Sequence, residues 1–330
     1  MAVRRQPKRG LVLGGGGMLG AAWMVGALCA LEEVHGFDPR SADVIVGTSA
    51  GSVLTALLGA GVTAAQLRDH QRGIRISHGP LAGFSWDYER ATGDGRPQLP
   101  KLIPTSRRSL ASSARRLRQL PPTAVLASFL PQGRGSLERI QHLVEAITPM
   151  DEWSPHPNAW VVAMDLDEGR RVAFGRPEAP TVPLATAVMA SCAIPSWFAP
   201  VQINGHSYVD GGACSATNVD LVADMGLDEV YVLAPMVSFA MNKPDSVLAR
   251  MEHRWRVQIT KRCLHETEKV REQGAAVIAL GPGPEDLDAM GPNLMDVKRR
   301  LPVLETSMRT SVEALRDPDR VGPDHLADVG

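Results

Sequence analysis

The feature that most constrains the fold is a glycine-rich stretch near the N-terminus. Residues 14–20 read GGGGMLG, inside the longer run RGLVLGGGGMLGAAWMVGALCALEEV. A short apolar segment, Leu11 to Leu13, precedes the glycines and an apolar, helix-like segment follows them, so we predict a strand, a glycine turn and a helix. Gly15, Gly17 and Gly20 fit the pattern G-x-G-x-x-G. Such a turn directs backbone N–H groups at a pyrophosphate or at an oxyanion that forms during a reaction.

The same run could also be mistaken for a membrane span or an export signal. Leu11 to Leu31 contains 21 uncharged residues and follows the basic segment MAVRRQPKR. Six of the 21 are glycines, four of them consecutive, and each glycine costs about 1 kcal/mol in a helix relative to alanine. No clear small-residue cleavage site precedes Glu32 and Glu33. We therefore expect a buried strand, turn and helix in a soluble protein.

Composition places the chain among ordinary globular proteins. Its 330 residues are 44% hydrophobic and 22% charged, which is enough for a large core. The net charge of -1 argues against nucleic acid as the main partner. The cysteines lie far apart without a C-x-x-C pair, which favours reduced thiols in a cytoplasm, and we expect no metal site. These are Cys29, Cys192, Cys214 and Cys263.

The remaining pattern predicts an α/β fold. A helix at 21–34, a strand at 43–47 and a helix at 52–58 follow the first strand, and this βαβα order implies a parallel sheet. A DEG turn between a strand at 160–164 and a partner strand at 170–174 makes the sheet mixed, and Asn204-Gly205 signals a further hairpin. We expect a three-layer α/β/α sandwich with a mainly parallel central sheet. Further helices are predicted at 63–71, 137–147, 184–190, 218–225 and 245–272, with terminal helices broken at Pro302, and further strands at 160–164, 170–174, 201–203, 208–209, 229–234 and 276–280.

Residues 95–137 differ from the rest of the chain. They contain eight basic residues and no acidic one. The segment SRRSLASSARRLRQL within them is compatible with a basic amphipathic helix on an anionic membrane, and the alternative is a solvated loop that covers the sheet. We interpret 95–137 as an insertion in a catalytic region that spans 8–234, and we expect 235–330 to complete the same domain with C-terminal helices and a strand.

The second predicted strand ends in Gly47-Thr48-Ser49-Ala50-Gly51, which matches G-x-S-x-G. At the junction of a strand and a helix, this motif forms a strained turn that exposes the serine Oγ at the edge of the sheet. The alternative is a glycine-rich loop whose serine only caps the helix. The strand before the motif and the apolar helix after it favour a nucleophilic Ser49.

This motif also bears on the first glycine turn. A dinucleotide site needs an acidic residue at the end of the second strand, whereas Asp43 lies at its beginning. The two turns open at the same edge of a parallel sheet, so the N–H groups of Gly15, Gly16 and Gly17 can face the acyl oxygen when Ser49 attacks. We therefore favour an oxyanion hole over a dinucleotide site.

A nucleophilic serine needs a base, and the chain offers nine histidines and Asp210 in the sequence Asp-Gly-Gly. The usual α/β-hydrolase nucleophile follows several strands, whereas Ser49 follows only two. Burial can raise the basicity of an aspartate enough to take the serine proton directly. Asp-Gly by itself more often marks a hairpin turn. We expect His206 and His265 to be surface or helix-face residues.

Taken together, the motifs resemble those of the patatin-like phospholipases. The resemblance runs from about Leu11 to Ala234 through LGGGGMLGAAWMVGALCALEE, IVGTSAGSV, ASCAIPSWFAPV and YVDGG. It implies a serine acyl hydrolase that acts on lipid acyl esters without a cofactor. The Ser-Asp dyad would be Ser49 and Asp210, and the oxyanion hole would come from the loop of Gly15, Gly16 and Gly17. The residues that support these motifs would be Gly20, Gly47, Gly51, Gly211 and Gly212.

One departure from that family concerns Leu19, where the glycine loop usually continues with a basic residue. Head-group preference is therefore less secure than catalysis, which would use backbone donors. Two other functions stay open: a general carboxylesterase or thioesterase for soluble acyl groups, and a non-catalytic lipid-binding or regulatory protein. Trp197 and Phe198 are expected either in the core or in an acyl pocket. We expect a cytoplasmic protein with peripheral membrane contact through 95–137.

Overall fold

The structure, a computed structural model, describes residues 5–86, 101–104, 131–133, 135–240 and 247–317. Most of the basic segment 95–137 lies outside these ranges. The strands are β1 (Arg9–Leu13), β2 (Val44–Thr48), β3 (Lys101–Pro104), β4 (Pro131–Gln132), β5 (Ala159–Asp165), β6 (Arg170–Phe174), β7 (Val201–Ile203), β8 (His206–Asp210), β9 (Glu229–Leu233) and β10 (Ala276–Leu280). The helices are α1 (Gly17–His35), α2 (Ala50–Gly59), α3 (Ala64–Gln71), α4 (Glu138–Ile147), α5 (Leu184–Cys192), α6 (Val247–Arg271), α7 (Pro284–Met290) and α8 (Arg300–Arg316).

An eight-stranded sheet forms the middle layer, in the order β10-β9-β1-β2-β5-β8-β7 with β6 also paired to β5. The strands from β10 to β5 are parallel, and β6, β7 and β8 pair antiparallel. The mixed, mainly parallel sheet that we predicted is confirmed. β3 and β4 form a separate antiparallel pair.

The central strand β1 is buried on both faces, as a parallel strand between two helical layers should be. Leu11 and Leu13 belong to a core cluster with residues of α1, α2, α3 and α8. Val12 faces the other way, into a cluster with residues of α6. The three-layer α/β/α sandwich therefore has one core on each side of the sheet.

Helix α1 has the length and composition of a membrane span. In the fold, however, Leu19, Trp23 and Leu28 are almost completely buried in the core that α1 shares with α8. This confirms the predicted buried strand, turn and helix. The helix begins at Gly17 rather than at 21, because the glycine turn is shorter than its composition suggests.

Two other predicted elements differ from the structure. The helix expected at 218–225 is a 3-10 helix, Val219–Met225, that follows Asn218 in a left-handed conformation. Pro302 does not break the terminal helices. It lies in the first turn of α8, where a missing backbone N–H removes no intrahelical hydrogen bond. The break between the two terminal helices lies before Pro302 in the sequence, because α7 ends at Met290 and Gly291 is its C-cap residue.

The sheet places the motif residues near one another. Leu13 pairs with Gly47, so the turns after β1 and β2 emerge side by side. Thr48 pairs with Val162 on β5, and Asp210 pairs with the next β5 residue, Ala163. The residue after β2 and the last residue of β8 therefore lie on opposite sides of the same short stretch of β5.

Candidate active site

Ser49 lies in a strained turn between β2 and α2. Its backbone has φ 54° and ψ -121°, in a region that non-glycine residues rarely adopt, and it is the N-cap residue of α2. Two glycines make the turn sterically feasible. A Cβ on Gly47 would lie 2.3 Å from the Gly51 carbonyl oxygen, and a Cβ on Gly51 would lie 2.1 Å from the Leu13 carbonyl oxygen. The geometry is that of a nucleophile elbow, with α2 pressed against the sheet.

Hydrogen bonds from outside the motif hold the elbow. The N–H of Ser49 donates to Ser191 Oγ at 2.8 Å, and Ser191 Oγ donates to the Val162 carbonyl at 2.6 Å. The Ser49 carbonyl accepts from Ser52 Oγ at 2.6 Å. Ser191 was not singled out as a site residue, although it belongs to the ASCAIP stretch that contributes to the family resemblance. Its hydroxyl connects the elbow to the middle of β5.

Asp210 contacts Ser49 from the other side of β5. The Ser49 side chain lies near enough to the Asp210 carboxylate to lower the pKa of that carboxyl, and the N–H of Gly212 donates to Asp210 Oδ1 at 2.7 Å. Burial raises the pKa of Asp210 from 3.8 to about 6, and the hydrogen bonds from Ser49 and Gly212 oppose part of that rise. The carboxylate is therefore ionised at neutral pH, yet more basic than an exposed aspartate.

The two glycines after Asp210 have separate steric roles. A Cβ on Gly211 would lie 2.5 Å from the Val162 carbonyl oxygen, so only glycine allows the chain to turn here against β5. A Cβ on Gly212 would lie 3.0 Å from Asp210 Oδ1. The Asp-Gly-Gly sequence thus ends a strand and orients a carboxylate, rather than forming the hairpin turn that is its usual context.

The glycine loop lies beside Ser49, but one of its predicted donors is already used. The N–H of Gly15 donates to the Ala216 carbonyl at 2.8 Å. The prediction that Gly15 supplies an oxyanion donor is therefore wrong for this conformation. Within the described part of the chain, the N–H groups of Gly16 and Gly17 have no acceptor. They stand at the start of α1, where the helix dipole also favours a negative charge.

Packing explains the glycines of this loop. A Cβ on Gly15 would lie 3.4 Å from the Cβ of Ser49, which shows how closely the loop approaches the elbow. A Cβ on Gly16 would lie 2.6 Å from Pro235, and Gly20 packs against the same proline one helical turn later. Gly17 has φ 61°. The loop therefore leaves little room for a side chain at Gly16 and Gly17.

An apolar cavity begins at the elbow. Gly17, Met18 and Ser49 line it together with side chains of the helical layer around α2. Phe198 also lines the cavity, and it belongs to the core as well. Trp197 is not among the lining residues and packs against the core. The aliphatic lining consists of Ala21, Ala50, Val53, Leu54, Leu57, Leu67, Leu81, Ile140, Leu143 and Ile194.

The family model described as Patatin-like phospholipase matches residues 11–223. The chain belongs to the patatin-like phospholipase family. Among solved structures, the chain is similar to VipD from Legionella pneumophila, with 13% identity, a TM-score of 0.45, and coverage of 94% of this chain and 67% of VipD. No curated protein matches the chain.

Membership in the patatin-like family supports lipid acyl hydrolase activity in general. The matched region contains the glycine loop, the elbow and Asp210, and it ends before β9 and the C-terminal helices. Leu19, which stands where the family usually has a basic residue, is fully buried and donates its N–H to the Leu294 carbonyl at 2.9 Å. A core contact thus anchors the loop where the family usually has a basic side chain.

Of the described histidines, His70 lines the cavity, whereas His206 and His265 are not among its lining residues. His206 Nδ1 lies 2.9 Å from Asp165 Oδ2, and His265 is exposed on α6. Burial lowers the pKa of His70. Among the described residues, Ser49 thus interacts with the carboxylate of Asp210.

One group of side chains has the composition of a cation site. Asp165, Asp167 and His206 place their ligand atoms within 4.8 Å of one another. Asp165 Oδ1 accepts the N–H groups of Asp167 and Glu168, and Asp167 Oδ2 accepts that of Ser207. These bonds explain the cluster as a turn that joins β5 to its neighbouring strands. We assign it no ligand.

Proposed function

We propose that the protein hydrolyses carboxylic esters of lipids with a Ser49–Asp210 dyad. The observation that carries this proposal is the side-chain interaction of Ser49, which lines an apolar cavity, with the buried carboxylate of Asp210. A serine is a weak nucleophile unless an adjacent base takes its proton. Asp210 is the base that contacts it.

The proposed reaction has two stages. Ser49 Oγ attacks the ester carbonyl carbon while its proton moves to Asp210, and the carbonyl oxygen becomes an oxyanion. The N–H groups of Gly16 and Gly17 stabilise that oxyanion, and each such donor is worth about 3 kcal/mol in related sites. Collapse breaks the ester C–O bond, and Asp210 returns the proton to the leaving alcohol. Water, deprotonated by Asp210, then attacks the acyl-enzyme. Collapse breaks the bond between Ser49 Oγ and the acyl carbon, and Asp210 returns the proton to Ser49 Oγ, which releases the fatty acid.

The cavity supports an acyl chain as the group that Ser49 receives. Among the described residues its lining is mainly aliphatic, with His70 and Gln71 as polar members, and each buried methylene of a lipid chain contributes about 0.8 kcal/mol. A general carboxylesterase or thioesterase would need less apolar surface next to its nucleophile. A non-catalytic lipid-binding protein would have no need of the strained serine.

A substrate panel tests this function. Purified protein should hydrolyse phospholipids, acylglycerols and p-nitrophenyl esters with kcat/KM rising with acyl chain length, and Ser49→Ala should abolish every activity while remaining folded by circular dichroism. A preference for short soluble esters would favour the esterase alternative. Near-normal turnover by Ser49→Ala would refute the dyad.

We also propose a cytoplasmic location and contact between the segment 95–137 and anionic membranes. The support for the membrane contact is the composition of 95–137, which contains eight basic residues and no acidic one. Each basic residue near such a surface contributes about 1 kcal/mol at low salt. Vesicle co-sedimentation should require anionic lipid and weaken as salt rises, and neutralising the five arginines should reduce it. These are Arg107, Arg108, Arg115, Arg116 and Arg118. Equal binding to neutral vesicles would exclude this contact.

A further inference from the structure

The segment 215–219, which follows Asp210 and its glycines, contacts both other parts of the candidate active site. The Ala216 carbonyl accepts the N–H of Gly15 at 2.8 Å and so fixes the glycine loop. The Asn218 side-chain amide donates to Thr48 Oγ1 at 2.9 Å, next to Ser49 in the chain. One piece of backbone therefore connects the glycine loop to the elbow.

The segment keeps an uncommon conformation at Asn218. This residue has φ 58° and ψ 33°, and non-glycine residues adopt the left-handed region only where their surroundings hold them. Its amide also donates to the Ser215 carbonyl at 2.7 Å, and its Oδ1 accepts from Arg171 Nη1 at 3.0 Å. Both polar atoms of the Asn218 side chain are thus used, in bonds to β2, to β6 and within the segment itself.

A buried carboxylate on α6, that of Glu266, accepts hydrogen bonds from the segment 215–219. Glu266 is fully buried, and its Oε2 accepts from Thr217 Oγ1 at 2.8 Å and from the Val219 N–H at 3.0 Å. Its Oε1 accepts from Arg262 Nε at 2.8 Å. Hydrogen bonds to ionised groups are about twice as strong as neutral ones. These bonds flank Asn218 on both sides in the chain.

We propose that Glu266, acting through Thr217, is a positioning residue for catalysis, although it lies outside the family match and touches no reacting atom. It places the segment 215–219, which in turn sets the direction of the glycine-loop N–H groups and of Ser49. This inference rests on the proposed function. Because such placement stabilises the transition state more than the bound ester, its loss lowers kcat and leaves KM nearly unchanged.

Three threonine variants test the proposal. Thr217→Val removes the hydroxyl that binds Glu266 and keeps the shape, and Thr217→Ser keeps the hydroxyl. Thr310→Val is the matched control, because Thr310 Oγ1 also donates to a buried carboxylate, Asp286 Oδ1, at 2.9 Å. Active sites are titrated with a fluorophosphonate, so that kcat refers to folded, reactive enzyme. Binding of an aryl boronic acid reports the oxyanion site, because its tetrahedral serine adduct places an oxygen there.

Thr217→Val should lower kcat per titrated site by about tenfold or more and weaken boronate binding by a similar factor. Thr217→Ser should restore both, and Thr310→Val should reduce thermal stability without changing either. If Thr217→Val does not fold, Glu266→Gln should show the same two defects to a smaller degree. Wild-type kcat per site and boronate affinity in the Glu266 and Thr217 variants, or equal defects in Thr310→Val, would overturn the proposal. Failure of the proposed function itself would appear differently, as a wild-type protein that neither reacts with the fluorophosphonate nor cleaves esters.

Discussion

Asp210 should cost the protein stability at neutral pH, and Asp210→Asn should recover it. Burial raises the pKa of this carboxyl from 3.8 to about 6, and each pH unit of difference corresponds to about 1.4 kcal/mol. The ionised side chain therefore destabilises the fold by about 3 kcal/mol at pH values above 6. An asparagine has no charge to bury and can still accept the Gly212 N–H.

The sign of this effect follows from proton linkage. As pH rises from about 4 to about 6, the unfolded chain loses the Asp210 proton while the folded chain retains it, so the wild-type protein loses stability over that window. Below about pH 4 both states are protonated, and above about pH 6 both are ionised, so the difference is constant outside it. The advantage of Asp210→Asn should therefore be largest above pH 6 and decline toward pH 4.

Urea unfolding of the wild type, Asp210→Asn and Ser49→Ala at about pH 8 and about pH 5 measures this advantage. We expect Asp210→Asn to gain about 1 to 1.5 kcal/mol relative to wild type between the lower and the higher pH. Ser49→Ala retains the buried carboxylate and serves as the control with no such gain. A relative stability of Asp210→Asn that does not change with pH would refute the assignment of a buried, destabilising charge at this position.

Three further predictions concern the site. The pH profile of kcat/KM should rise with unit slope to about pH 6 and then level off, because Asp210 must be ionised to accept the Ser49 proton; a profile that is flat from about pH 4 to 8 would contradict this role. Gly51→Ala should lose about 2 kcal/mol or more in urea unfolding, since its Cβ would lie 2.1 Å from a carbonyl oxygen, whereas Gly36→Asn at an open left-handed helix end should cost much less. Alanine replacement of each histidine, including His70 in the cavity, should leave substantial ester hydrolysis, and a folded histidine variant as inactive as Ser49→Ala would reveal a different base.

The sequence predicted the parts of this protein that depend on local order. Glycines between an apolar strand and an apolar helix specify a turn whatever the rest of the chain does, so the elbow at Ser49 was predictable. Asp210 was predictable only from its place after the other motifs, because Asp-Gly alone usually forms a hairpin. The family resemblance joined these motifs before their distances were known.

Contacts between segments that are distant in the chain could not be predicted from the sequence. The N–H of Gly15 donates to the carbonyl of Ala216, about two hundred residues later in the chain, and no local sequence pattern predicts that this carbonyl will accept it. Ser191 and Glu266 look like ordinary helix residues in the sequence, and only the packing of their helices directs them toward Ser49 and Thr217. Such roles depend on tertiary structure alone.

Peptide mapping by mass spectrometry after reaction with a fluorophosphonate tests the central claim most directly. The reagent phosphonylates a serine only where a base removes its proton and donors stabilise the oxygen that carries the developing charge. We predict one adduct per chain, on the peptide that contains Ser49, with no labelling of Ser49→Ala and very slow labelling of Asp210→Asn. An adduct on another residue, or labelling of Asp210→Asn at the wild-type rate, would contradict the Ser49–Asp210 dyad.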